Sequence, residues 1–315
     1  MVEHCDSVTQ HGPQYIEDLP SSVSVYHYSG MDDFCRLVSL QRSRLYRSFY
    51  TAENQRARNT NGNEGPEDDL DMSPQTEGTQ SNHIIFIVEP STFFRDFDLL
   101  ADRPFHDRIS FNPKTSILVV KIPLPTHHQA VAAFDETLKW ALGQMGLHRA
   151  LLSWGSSTLT GGDGTIKEPD AAWGPRQPPR CASKTPSLVL EVAMSETSAK
   201  LRRDAQYWVD PTRGLAGMAI AVAVHAKKPQ ITIEQWEWNS QLSRLIQGSS
   251  LAILKSDGEV RFHPDRPTPQ LLIPFHLLFR RPAEGDKERD IVFGTQELVE
   301  FATLVWDMQF DNKQE

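Results

Sequence analysis

The sequence predicts an α/β protein whose central mixed β-sheet is flanked by helices. Runs rich in β-branched residues alternate with segments of helical period, in the order β–α–β–β–β–α–β–β. Of the 315 residues 39% are hydrophobic and 9% aromatic, which supplies a sizeable core. No apolar run approaches the ~20 residues that a membrane-spanning helix needs.

Residues 1–50 are expected to form an N-terminal appendage with a polar start and one helix from Met31. Phe34, Leu37, Val38, Gln41 and Leu45 recur there near the 3.6-residue period. Residues 51–82 carry seven acids and only Leu70 and Met72 as larger apolar groups, the composition of a disordered acidic linker. A globular domain is expected over 83–310. Its first strands are His83–Val88 and Ser116–Ile122. A helix follows over 128–145, with Val131, Phe134, Leu138 and Leu142 on one face and Gly146 as its stop. Ala150–Leu159 reads as a strand, and Gly161-Gly162-Asp163-Gly164 as a hairpin turn; it lacks the Lys-Ser/Thr of a phosphate loop. Ile166–Trp173 and Leu188–Ala193 are the next strands. Ser195 is placed to cap a helix over 196–209, whose core face is Leu201, Ala205 and Trp208. Strands at 215–224 and 231–238 and a closing amphipathic helix at 295–308 complete the order.

Cys5, Cys35 and Cys181 lie far apart, which excludes a disulfide scaffold and a Cys-based zinc site. The first ten residues carry acid and no apolar stretch, so an intracellular protein, cytoplasmic or nuclear, is expected. Net charge is −9, opposite to that of a protein wrapped in nucleic acid, yet 176–203 holds six basic residues against two acids. Arg176, Arg180, Lys184 and Arg203 are therefore candidate nucleic-acid contacts, with a solvated charged face as the plain alternative.

Two acids stand out by placement. Asp170 follows Pro169 in IKEPDAAW, and Glu191 interrupts the apolar run SLVLEVA. A charge inside such a strand is costly to bury without a partner. Strand parity puts Glu191 on the face of Val189 and Ala193, away from Leu188, Leu190 and Val192. Carboxylates on adjacent strands suit a hard divalent cation such as Mg²⁺; a buried acid paired with Lys or Arg is the alternative.

KIPLPTHH, KEPDAAW, PSLVLEVAMSE and LRRDAQYW occur in this order, and the stretch 114–238 resembles the PD-(D/E)XK nuclease superfamily. Within it the chain is most similar to the fungal restriction-endonuclease-like, Uma2-related proteins. The resemblance implies a restriction-endonuclease-like core and phosphodiester cleavage assisted by Mg²⁺, with Mn²⁺ as a substitute ion. It implies Asp170 and Glu191 as metal ligands and catalytic acids, with the Val192 carbonyl as a third oxygen. The family's lysine would stand at position 193, where this chain has Ala193. Lys200 on the following helix is the first candidate replacement, Lys167 the second and Arg203 the third. In the first core helix Gln129 stands where relatives carry an acid and is a weaker candidate ligand. Asp204 reads as structural, and His127 and His128 as helix-start or surface groups. A metal-dependent nuclease acting on DNA or RNA thus stands beside a catalytically inactive nuclease-fold module that binds nucleic acid or protein, and beside an interaction protein using its N-terminal helix and acidic linker. Oligomeric state is left open.

Overall fold

The computed structural model describes residues 18–19, 22–59, 81–97, 107–180, 182, 184–194, 196–214, 216–263 and 268–310, with the side chains of the first helix given to residue 48. The fold is mixed α/β. One sheet contains β1 (Ser24–His27), β2 (His83–Ile87), β3 (Arg108–Asn112), β4 (Ile117–Lys121), β6 (Leu159–Thr160) and β7 (Ile166–Lys167), in the spatial order β1-β2-β4-β3-β7-β6. The larger sheet is built from β5 (Leu151–Gly155), β8 (Ala171–Pro175), β9 (Leu188–Ala193), β10 (Met218–Val224), β11 (Gln230–Asn239), β12 (Arg244–Ser256) and β13 (Glu259–His263), ordered β13-β12-β11-β10-β9-β8-β5. A ribbon of β14 (Leu271–Ile273) and β15 (Ile291–Phe293) stands apart. The helices are α1 (Met31–Asn59), α2 (Pro90–Asp96), α3 (Pro125–Gln144), α4 (Ser198–Val209), α5 (Phe275–Phe279) and α6 (Thr295–Phe310).

Both large sheets are mixed. β1 runs parallel to β2 and β9 parallel to β10, while the other pairings are antiparallel. Parallel neighbours need a crossover, and α4 supplies it between β9 and β10. All six residues of β9 are buried, because both of its faces are covered. Leu188, Leu190 and Val192 join Phe134, Leu138 and the smaller sheet in the main core. Val189 and Ala193 pack with Leu201, Ala205 and Trp208 of α4 in a second one.

The N-terminal segment is no appendage. β1 is hydrogen-bonded into the first sheet, and Phe34, Val38 and Leu45 of α1 belong to the main core. α1 also continues to Asn59, past the expected boundary at 50; the remainder of the expected linker, 60–80, lies outside the described residues. The hairpin at 161–164 is present, joining β6 to β7.

Two expected strands are divided. Ala150–Leu159 becomes β5 and β6, and Ile166–Trp173 becomes β7 in one sheet and β8 in the other. Pro169 marks the second division, since it offers no N–H to a ladder. α4 is capped by Thr197, whose hydroxyl accepts from Lys200 N–H at 3.1 Å; Ser195, the expected cap, lies outside the described residues.

Candidate functional site

The chain's step from one sheet to the other creates the site. β7 leaves Lys167 on the smaller sheet, Pro169 turns the chain, and Asp170 arrives at the start of β8 on the larger one. β9 brings Glu191 alongside, and α4 lies over that face with Lys200 and Asp204 pointing inward. β4 ends at the same junction with Lys121. All six of these side chains belong to buried residues, as does Glu196 just before α4.

Lys121 is the centre of the arrangement. Its Nζ donates to Asp170 Oδ2 at 2.8 Å and to the Val192 carbonyl at 2.8 Å. It lies 2.7 Å from Glu196 Oε1 and 3.9 Å from Glu191 Oε2. Asp170 Oδ2 also accepts the Val192 backbone N–H at 2.7 Å, and His127 Nε2 sits 3.0 Å from Oδ1. Deeper under α4, Trp208 Nε1 donates to Glu191 Oε1 at 2.5 Å, and Lys167 Nζ stands 3.9 Å from the same oxygen. Asp204 accepts from Lys167 at 2.5 Å on one oxygen and from Lys200 on the other. Lys167 also lies over the Tyr207 and Trp208 rings, 5.1 and 5.3 Å from their centroids. A small, partly open cavity of about 20 Å³ reaches the cluster, lined by Arg108, Lys121, Lys167, Lys200, Glu191 and Asp204 among others.

The electrostatics separate the acids. Burial, with the Asp170 charge beside it, pushes Glu191 up to about 8. Burial would raise Asp170 too, but His127 and Lys121 hold it well below the usual carboxylate range. Against the same burial cost, Lys167 and Lys200 hold Asp204 low. Burial would lower Lys121, and Asp170, Glu196 and Glu191 more than offset it, so its ammonium keeps its proton. His83, 3.9 Å from Glu196, is pushed down to about 4 by burial. With a proton on Glu191, the carboxylates of Asp170, Glu196 and Asp204 face the ammonium groups of Lys121, Lys167 and Lys200, with His127 also against Asp170.

The expected ligands are thus brought together, around an ammonium. Asp170 Oδ2, Glu191 Oε2 and the Val192 carbonyl all lie within 3.9 Å of Lys121 Nζ. Mg²⁺ takes oxygens at about 2.0–2.1 Å, and a lysine donating to two of those oxygens occupies the space and cancels the charge the ion would use. No group of three or more His, Cys, Asp or Glu among the described residues is arranged to hold a metal ion. As arranged, these residues do not fit Mg²⁺ or Mn²⁺.

Several individual expectations change. From α3 it is His127, buried, that reaches Asp170, while Gln129 stays half-buried and the neighbouring His128 is exposed. Lys200 is buried, and with Lys167 it pairs with Asp204, which is the shared counter-charge of two lysines. Arg203 pairs with Asp18 at 2.8 Å, and Arg202 grips Glu234 through Nε and Nη2. Arg176, Arg180 and Lys184 are exposed, in the connection between β8 and β9. Five residues, those of β8, separate Asp170 from Arg176, roughly 20 Å at strand spacing, so this basic loop stands at the other end of the strand from the acids. Sequence reasoning missed Lys121, Glu196, His83 and the role of His127.

A scan against protein-family models finds no match to the chain, and a search of curated proteins finds no relative. No helix among the described residues is long and apolar enough to cross a membrane.

Proposed function

We propose that the chain is a restriction-endonuclease-like protein of the PD-(D/E)XK type whose acid pair holds its own lysine instead of a metal, and that it works as a nucleic-acid-binding module without cleavage. The order α3-β5-β8-β9-α4-β10, with an acid at the start of β8 and another on β9, supports the fold assignment. The observation that carries the functional part is Lys121 Nζ, held at 2.7–2.8 Å by Asp170, Val192 O and Glu196. The exposed Arg176, Arg180 and Lys184 supply a phosphate-facing loop away from that cluster.

The test combines binding and cleavage. Fluorescence anisotropy of labelled single-stranded and duplex DNA and RNA across a salt series should give an affinity that falls with salt. Replacing Arg176, Arg180 and Lys184 together with alanine should lower the log–log slope by about 2–3, at roughly 0.9 per lost duplex phosphate contact. The same oligonucleotides should stay intact in Mg²⁺ or Mn²⁺. Cleavage that depends on the ion and disappears in Asp170→Asn would overturn the non-catalytic part. Absence of binding at low salt would overturn the nucleic-acid part.

A second reading, metal-dependent phosphodiester hydrolysis, is favoured by the convergence of Asp170, Glu191 and Val192 O on one point with Lys167 beside Glu191. It requires Lys121 to leave that point.

A further inference from the structure

Three segments meet at the end of the larger sheet that lies away from the acid cluster. They are the turn from α3 to β5 (145–150), the β8–β9 connection (176–187) and α5 with its cap (275–281). Direct bonds join them: Arg176 N–H donates to the Ala150 carbonyl at 2.8 Å, and Ser187 Oγ to the Leu278 carbonyl at 2.6 Å. Together they carry six basic residues and no acid, in a chain with 41 acids against 32 basic residues. Arg281 is paired with Glu288 of the loop after α5, and Arg280 is half-buried. Arg149, Arg176, Arg180 and Lys184 are exposed.

The charge is carried on a stiffened frame. Pro175, Pro178, Pro179 and Pro186 each fix their own φ along the β8–β9 connection. Arg280 braces the far end of that connection, donating through Nη2 to Thr185 Oγ1 and to the Pro186 carbonyl, both at 2.9 Å. It does so while capping α5 in the left-handed region at φ 56°, a conformation that costs a non-glycine residue energy. A loop held in this way loses less entropy when a ligand orders it. The aromatic side chains of the three segments, Phe275 and Phe279, are both buried. Binders of single strands stack bases on exposed aromatics, so a cationic surface without them fits the paired backbone of a double helix. Recognition of duplex RNA relies on hydroxyl contacts across its minor groove. Apart from Gln177, His148 and His276, the described exposed side chains here are Arg or Lys, which favours DNA.

We propose that this surface docks the backbone of duplex DNA, with Arg149 as a phosphate contact beside Arg176 and Arg280 as a positioning residue that holds the loop in place. The proposal rests on the nucleic-acid reading above. It adds the kind of nucleic acid, a contact outside the loop, and the brace.

The experiment titrates the full chain into labelled duplex DNA, duplex RNA of the same sequence and the matching single strand, by fluorescence anisotropy over a salt series. Duplex DNA should bind about tenfold tighter than either alternative at low salt. Arg149→Ala should weaken duplex DNA binding about three- to tenfold and lower the log–log salt slope by about 0.9, the value of one phosphate contact. Arg280→Met should weaken it to a similar extent with the slope unchanged, because a brace touches no phosphate. Lys114→Ala, which removes an exposed cation in the turn between β3 and β4, should change neither. Circular dichroism checks the fold of Arg280→Met; if that variant does not fold, the exposed Arg149→Ala decides the case. Single strand or duplex RNA bound as tightly as duplex DNA overturns the proposal, and so does an Arg149→Ala variant that binds like the parent. A lower slope in Arg280→Met would make Arg280 a direct contact and overturn its positioning role. Absence of binding to all three probes would instead defeat the nucleic-acid reading itself, so the two failures are separable.

Discussion

Replacing Glu191 with glutamine should flatten the stability of the protein between pH 6.5 and 8 and raise it at the upper end. Glu191 rises from 4.5 to about 8 on folding, because it is buried beside Asp170. Between those values the folded chain holds a proton that the unfolded chain has released. Stability therefore falls as pH rises, by about 1.4 kcal/mol per pH unit. His83 acts in the opposite sense. Its value drops from 6.5 to about 4, so across that interval the unfolded chain binds the extra proton and stability grows with pH. The two slopes cancel from pH 4.5 to 6.5, which leaves a net fall from pH 6.5 to 8 worth about 2 kcal/mol. Asp170 and Asp204 are held low, so their contribution is lost only as pH drops below the ordinary carboxylate range, outside this window. Glutamine reproduces the protonated side chain and can still accept the Trp208 indole N–H that Glu191 Oε1 receives at 2.5 Å. Urea unfolding at half-unit steps from pH 6.5 to 8 should show a falling midpoint for the parent and a level one for Glu191→Gln. An identical slope in both proteins would refute the protonated Glu191. A variant weaker than the parent at every pH would mean that the carboxylate is needed in its charged form.

Two further perturbations test the cluster and its scaffold. Asp170→Asn and Lys121→Met should each cost about 3–5 kcal/mol by leaving a buried charge unpaired, and the double variant should cost clearly less than their sum; strict additivity in denaturant unfolding would mean that the 2.8 Å pair carries no coupling. Thr197→Ala should cost about 1 kcal/mol, because the hydroxyl caps α4 at Lys200 N–H and also donates to Asp18 O at 2.7 Å; a Thr197→Ser control should retain most of that stability in the same assay.

The elements that the sequence announces most clearly are those with one unbroken pattern. Leu188–Ala193 is a strand with the expected bounds, and Glu191 faces α4 as parity requires, because a six-residue apolar run covered on both sides leaves no other choice. The α3 and α6 helices follow from their 3.6-residue stripes in the same way. β12 is not legible in the sequence. Its segment RLIQGSSLAILKS mixes polar and apolar residues without regular alternation, and its exposure varies along its length instead of separating two faces. The split at Pro169 was hidden because Ile166–Lys167 and Ala171–Pro175 are each too short to display a period, and only the pairing of β7 with β3 reveals that they belong to different sheets.

The site is half legible in the sequence for a related physical reason. Glu191 was found by asking which charge interrupts an apolar strand, since burial there demands a partner. Lys121 meets that criterion equally well: it follows Ile117-Leu118-Val119-Val120 and precedes Ile122, all buried. Applied to both signs of charge, the test would have flagged a lysine and an acid on separate strands, each lacking a compensating charge among its immediate sequence neighbours. Opposite charges stranded in two buried strands of one domain have a cheap solution, which is to meet. A metal is required only when the stranded charges share a sign. Glu196 remained invisible to this test because it lies in the short connection between β9 and α4, where an acid normally faces water; only its 2.7 Å approach to Lys121 reveals a third carboxylate drawn to the same ammonium.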